Sequence, residues 1–408
     1  MKLRGVAPNV WVFGCVSFLT DVSSDMIYPL LPAFLTVTLG AGAGFVGLVE
    51  GLAESTAAFF TLASGVWADR SKDRGRLVLL GYSLSSLSRP LVSLAQTPWV
   101  VLFIRFTDRV GKGIRTSPRD ALIADSTDDR HRGRAYGLHR SMDHAGAVVG
   151  PLVATLLLAT CVKDLRVLFA CAAVPGLLAV ALILWKVREV PAERRVLSVR
   201  RSVRPRLPSG RLRAYLLILL VFILSCSSDA FLLLRAADLG VPAYLLPAVW
   251  MLFNLVKAAT TLPLGILSDR IGRRRVILYG WTVYIAVYVG FALADQAWQA
   301  WALFAAYGLF YGFTEGSERA VLADTAPPEE RGEAFGWYYF VVGLGSLPAS
   351  LLFGAVWQSA GAPAAFLLSA AISSVAAVAM AVFMRIAPST RAATVLSAGP
   401  SLLGPERK

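Results

Sequence analysis

The sequence predicts an all-α membrane protein made of two related six-helix bundles. Three observations carry that prediction: an apolar composition, twelve apolar runs of membrane-crossing length, and an internal repeat. Hydrophobic residues fill 56% of the 408 positions and charged ones 16%, with a mean hydropathy of +0.61. A water-soluble domain of this size would lack the polar side chains to cover its surface. The net charge of +14 would suit nucleic acid, but the Lys and Arg fall in alternate loops between apolar runs and form no single basic domain. The expected partner is therefore the lipid bilayer, not nucleic acid.

A helix crosses roughly 30 Å of hydrocarbon at 1.5 Å per residue. Runs that satisfy this lie at about 10–37, 44–67, 77–96, 98–122, 135–160, 166–187, 214–237, 243–267, 275–294, 297–321, 334–357 and 363–385. The first is too long and too polar in its middle for a signal-peptide core, so it reads as a span. Turns after spans 1, 3, 7, 9 and 11, such as Gly40–Gly44 and Gly240–Pro242, carry almost no Lys or Arg, whereas the other set holds Lys72, Arg74, Arg132, Arg134, Arg270 and Arg273. That asymmetry puts both termini in the cytoplasm. Residues 1–187 then form one bundle, 188–213 a basic cytoplasmic linker with Pro191, Pro205 and Pro208, 214–387 the second bundle, and 388–408 a disordered tail. Cys15, Cys161, Cys171 and Cys226 show no metal spacing and read as packing thiols.

The two bundles repeat each other. Gly65, Asp69 and Arg70 return as Gly265, Asp269 and Arg270 in a short charged turn between two spans. Asp125, Arg132 and Gly137 return at one constant offset as Asp324, Arg331 and Gly336, and Ser23-Ser24-Asp25 returns as Ser227-Ser228-Asp229. Matches in the same order, with the same sense through the bilayer, indicate parallel halves related by an axis along the membrane normal.

The charged turn resembles the loop signature of the major facilitator superfamily, although the first copy has Lys72-Asp73 where Gly-Arg is expected. Tyr28-Pro29-Leu30-Leu31-Pro32 resembles the first-helix signature of drug/proton antiporters. Gly137, Gly146, Gly150 and Pro151 resemble the fifth-helix antiporter motif, with Ala154 and Thr155 in place of its last two glycines. Arg105 matches the family's fourth-helix arginine, and Arg109 stands where Gly is usual. The resemblance implies twelve helices of the major facilitator fold and a monomer in the inner membrane. It also implies small-molecule or ion transport by alternating access, export driven by protons, and no cofactor. Gly65, Asp69, Arg70, Gly265, Asp269 and Arg270 become the gate, with Gly146, Gly150 and Pro151 as the flexible seam.

Ionisable groups inside spans are expensive and in transporters face a wet cavity or each other. Asp21 and Asp25 lie one turn apart in span 1, and Glu50 and Glu54 do so in span 2. With Asp143 they are the candidate proton carriers. Arg105, Arg109, Lys112, Arg115 and Arg119 form one cationic stripe on span 4, with Asp108 on it. Candidate substrate contacts are Met26, Arg105, Asp108, His139, Arg140, His144, Asp229, Arg235, Lys257, Glu315 and Arg319, where Arg235 and Lys257 would serve as counter-ions for spans 1 and 2. The second half otherwise supplies aromatic wall, including Trp250, Tyr307, Tyr311 and Tyr338. Three alternatives stay open: a metal or metal-chelate exporter using Asp21, Asp25, Met26, His139, Asp143 and His144; an organic-anion transporter using span 4; and a non-transporting receptor on the same fold. No nucleophile triad, phosphate loop or closed zinc set suggests an enzyme.

Overall fold

A computed structural model describes residues 8–70, 73–127, 132–186, 208, 210–325 and 331–386. Within helices, residues 66, 68–70, 132–133, 323–325, 331–333 and 385–386 are described by backbone alone. The tail, both termini and the linker apart from residues 208 and 210–213 lie outside the described residues.

The described residues contain helices and no strand. They form twelve runs: α1 (Pro8–Thr38), α2 (Ala43–Arg70), α3 (Arg74–Leu94), α4 (Pro98–Asp125), α5 (Arg132–Thr160), α6 (Leu165–Lys186), α7 (Gly210–Asp238), α8 (Ala243–Ile271), α9 (Arg273–Leu293), α10 (Ala297–Thr325), α11 (Arg331–Ala360) and α12 (Ala362–Ile386). Ten of them are long and apolar enough to cross a membrane. The other two, α4 and α10, are 28 and 29 residues long and carry more ionised side chains. Protein covers much of that charge, since Arg105, Asp108, Arg109 and Arg115 of α4 are all buried.

Several runs are not straight. In α1 the ring of Pro29 removes a donor, and the helix tightens to a 3-10 turn at Tyr28–Leu30 before widening to a π turn at Phe34–Thr38. In α7 the helix stops after Ser225 and restarts at Asp229, with the Ser228 hydroxyl accepting from the Ala230 amide at 3.3 Å as its cap. The restarted segment of α7 packs on Leu31–Ala33 of α1, so the two breaks face each other between the halves.

The helix pairings repeat as the sequence repeat requires. Helix α1 packs on α5 and α6, α2 on α4, and α3 on α4 and α6; α7 packs on α11 and α12, α8 on α10, and α9 on α10 and α12. Between halves, α2 meets α11 and α5 meets α8. The inter-half contact is tight at the end marked by the charge-poor turns. The Gly44 amide donates to Gln358 Oε1 at 3.2 Å, the Ser55 hydroxyl donates to the Gly343 carbonyl at 2.7 Å, and a Cβ added at Gly354 would sit 2.9 Å from the Ala43 carbonyl oxygen. At the other end, Gly137, Gly265, Gly316 and Gly336 have nothing within 4 Å of where a Cβ would stand. The described glycine contacts are thus close at the charge-poor end and open at the other.

Candidate functional site

On the first half, the α4 stripe meets acids from its neighbours. Arg105 Nη2 donates to both Glu50 oxygens at 2.8 Å, and its guanidinium lies 5.5 Å from the Tyr28 ring centroid. Arg89 donates from Nε to Asp108 Oδ1 at 2.8 Å and from Nη1 to the Thr20 carbonyl at 2.9 Å. These two acids and two bases balance in charge and are all buried, and Arg89, Arg105 and Asp108 line a cavity of about 10 Å³, room for about one water. Glu50, Arg105 and Asp108, expected from the sequence as a proton carrier and substrate contacts, form with Arg89 a buried, charge-balanced cluster of ion pairs. Arg89 was missed altogether; its signal was a charged residue before Pro90 within an apolar run.

Along the rest of the stripe Arg109 and Arg115 are buried too, and the more open groups are Lys112 and the acid that Arg109 meets. Arg109 Nη2 lies 3.2 Å from Glu54 Oε1, and the Glu54 side chain is 48% exposed although it sits midway along α2. Lys112 is half-buried with no ion pair among the described residues. The Arg115 guanidinium stacks 4.1 Å from the Tyr82 centroid.

The α1–α5 seam shows why the α5 glycines matter. A Cβ at Gly146 would lie 2.6 Å from the Phe18 carbonyl oxygen, and one at Gly150 would lie 2.7 Å from that of Val22. Only glycine lets the two backbones come this close. The same approach presses Asp21 and Asp25 of α1 against α5: their Cβ atoms lie 2.9 and 3.2 Å from the two added Cβ positions. Asp25 Oδ1 accepts the indole N–H of Trp250 at 2.8 Å, a bond from the first half to the second. His139 is buried, with Nδ1 3.6 Å from Asp143 Oδ2, while His139 Nε2 and Asp143 Oδ1 have no hydrogen-bond partner. Arg140 stands 3.8 Å from Asp143 and forms an ion pair with Glu315 of the other half.

The metal alternative does not assemble. Met26 is 2% exposed in the apolar core, Asp25 is engaged by Trp250, and no three His, Cys, Asp or Glu among the described residues gather closely enough to hold an ion.

In the second half, Asp229 opens the restarted segment of α7 and accepts from the Tyr307 hydroxyl at 2.7 Å. Lys257 Nζ lies 3.6 Å from Glu315 Oε2 and 4.4 Å from the Tyr311 centroid, and Arg319 stands 3.9 Å from Glu315. Arg235 donates to the carbonyls of Phe291 and Ala294 at 3.1 and 2.7 Å, tying down the end of α9. Among the described residues neither Arg235 nor Lys257 forms an ion pair with the acids of α1 and α2; the direct contacts of each lie within its own half. A cavity of about 300 Å³ opens here between α7, α8, α10 and α11, walled by Phe222, Tyr307, Phe310 and Tyr311. Lys257, Glu315 and Arg319 line it, as does Glu318, a polar residue of the same span that was not among the expected substrate contacts.

At the charged turns, the side chains of Asp69 and Arg70 lie outside the described residues, and Gly65 faces Ser117. Asp269 is exposed, 3.4 Å from Arg273, whose Nη1 donates to the Ala320 carbonyl at 2.7 Å. In the first half, Arg74 pairs with Asp125 at 2.5 Å. In both copies an arginine at the start of the third helix ties down the end of the fourth.

A model of the Major Facilitator Superfamily matches residues 13–252 and 230–403. An uncharacterized MFS-type transporter from Methanocaldococcus jannaschii is 36% identical over 361 residues, 87% of this chain and 90% of that protein. A multidrug resistance protein, MdtG, from Serratia proteamaculans is 27% identical over 382 residues, 91% of this chain and 92% of that one. Among solved structures, the nucleoside transporter NupG superposes with a TM-score of 0.76 at 14% identity, over 92% of this chain and 99% of that one. An inward-facing, occupied bacterial homologue of the human lysosomal transporter Spinster gives 0.75 at 15% identity, over 92% and 96%. At such identities the structural likeness concerns the fold alone.

Proposed function

The chain belongs to the major facilitator superfamily of multi-pass membrane transporters, and from that premise we propose that it exports a small molecule against proton entry. The observation that carries the reading is the hydrogen bond from Trp250 to Asp25, which joins the halves through an acid inside the bundle. An ionised carboxylate accepts more strongly than its acid, so a proton arriving at Asp25 weakens the tie. After the proton leaves, the ionised form holds the halves together at their closed end while the opposite end receives substrate. Such a device couples orientation to protonation and limits futile switching of the empty transporter.

Asp21, Asp143 and Glu54 support the proton path. Asp21 shares the α1 face with Asp25, Asp143 keeps an unpartnered oxygen, and Glu54 is half exposed midway along α2. The surplus of Lys and Arg in one set of turns supports a cytoplasmic location for the parted end, hence an inward-facing arrangement in the inner membrane. The turns at Asp69-Arg70 and Asp269-Arg270 would latch that end when it closes. Kinship with proteins named for multidrug resistance supports export over uptake.

The test is a growth panel of antibiotics and dyes on cells with and without the protein, repeated with an uncoupler. Protection by the wild type, lost on uncoupling and in Asp25→Asn at equal membrane abundance, is expected. Protection that persists under both perturbations would overturn proton-driven export through Asp25.

A further inference from the structure

The α1–α5 seam holds more titratable groups than the bond to Trp250 uses, and they fall at successive turns. Helices α1 and α5 run parallel, with Gly14, Phe18 and Val22 of α1 set against Met142, Gly146 and Gly150 of α5. On that register Asp25 lies against Gly150 and Asp21 against Gly146, while Asp143 stands one turn before Gly146 and His139 one turn before Asp143. His139 is 4% exposed, with Nδ1 3.6 Å from Asp143 Oδ2. Its Nε2, on the ring edge turned away from Asp143, has no hydrogen-bond partner, and neither has Asp143 Oδ1. The column therefore runs from the Trp250 bond toward the arginine-rich end of α5 that starts at Arg132.

Buried donors and acceptors are nearly always paired, so two orphaned atoms on adjacent members of one column need a reason. They are the atoms through which a proton would enter the Asp143–His139 pair and leave it. The charges acting on His139 are Asp143 and Arg140 of its own helix and Arg119 and Asp120 of α4, whereas the facing turn of α1, Val10 to Gly14, carries none. Both arginines are occupied, Arg119 by Asp120 at 2.8 Å and Arg140 by Glu315. The Asp120 side chain is 44% exposed, so water reaches the α4 side of this group. Imidazole suits such a position, because it changes charge near neutral pH and can accept on one nitrogen while donating from the other.

We propose that His139 is the outlet of the proton path, relaying protons between Asp143 and water at the arginine-rich end of α5. The neutral ring takes the proton from Asp143 onto Nδ1, becomes imidazolium, and gives one up from Nε2 to water; exchange with solvent then restores the starting tautomer. One proton enters the ring and one leaves it, and Asp143 is left ionised to receive the next from Asp21. This rests on the export reading, in which Asp25 takes the proton, and adds the route by which that proton is released.

The experiment releases protons by a light flash from a caged acid into purified protein in detergent. Time-resolved infrared spectroscopy then follows Asp25 through the carboxylic-acid carbonyl band that Asp25→Asn lacks. A path used for release is used for uptake as well, so the rise of this band times the route. His139→Gln keeps a polar side chain but does not titrate. It should slow the rise about 100-fold and leave the final amplitude unchanged, and imidazole added to the buffer should restore most of the rate. A purely structural role for the ring would not respond to free imidazole. Asp143→Asn breaks the same transfer from the other side and should slow the rise likewise; it carries the test if His139→Gln loses its gel-filtration profile. An unchanged rate in either variant, or a slowing in His139→Gln that imidazole leaves untouched, would overturn the relay while Asp25 as proton carrier stands. Absence of the band in the wild type would overturn the relay and the export reading together.

Discussion

Replacing Trp250 by Phe tests the tie between the halves. The ring of Trp250 packs 5.1 Å from Tyr28 and 4.6 Å from Phe253, and Phe keeps most of that contact while removing the N–H that donates to Asp25. A hydrogen bond to a charged group contributes about 1.5–3 kcal/mol. If about 2 kcal/mol of it is specific to the arrangement closed at the charge-poor end, losing it shifts the equilibrium roughly thirtyfold. A minor state near ~1% would then rise to about a fifth of the molecules. Electron–electron distance measurements between spin labels on Val37→Cys in α1 and Ser359→Cys in α11, with the native cysteines replaced, would read this directly. The wild type should give one dominant short distance, and Trp250→Phe should add a second, longer population. Asp25→Asn should give the longer population too, since it also removes the ionised acceptor. An unchanged distribution in both variants would refute the claim that this bond holds the halves.

Further outcomes follow from the same contacts. Glu50→Gln removes the charged hydrogen-bond partner of buried Arg105, leaving it only Asp108 at 3.7 Å, and should cost up to about 3–5 kcal/mol, read as a fall in unfolding temperature; adding Arg105→Met should recover part of it. Gly150→Ala places a methyl 2.7 Å from the Val22 carbonyl oxygen. It should cost about 1–3 kcal/mol and lower transport while membrane abundance is maintained. Glu315→Gln should impair transport more than Arg140→Gln, because it strips a partner from three cations at once; Arg140 is 46% exposed, and its own bridge is worth little beyond about 1 kcal/mol. Transport assays of the two variants side by side decide this.

The twelve runs, the parallel halves and the acids of α1 were legible in the sequence because hydropathy and the repeat act locally along the chain. The glycines of α5 were legible for the same reason, and their close approach to α1 is where the motif predicts a bare helix face. Partnership was not legible. Arg235 and Lys257 looked like spare cations, because a single sequence does not show that one cross-links to carbonyls at the end of α9 and the other to Glu315. Trp250 looked like wall material, yet its one polar atom joins the halves. Glu50 and Glu54 share a spacing and a helix, but α4 seals the first with Arg105 and leaves the second half open. The break in α7 was also hidden, since Ser225-Cys226-Ser227-Ser228 contains neither Pro nor Gly, and a serine cap such as Ser228 is a weak signal within an apolar run.

The most direct test of the account is proton movement in proteoliposomes loaded with a pH-sensitive dye and driven by an outward gradient of a compound identified in the growth panel. The wild type should move protons opposite to that compound. Asp25→Asn should still exchange the compound for itself across the membrane but move no protons with it. Proton flux in Asp25→Asn equal to that of the wild type, or wild-type export that leaves the pH difference untouched, would contradict it.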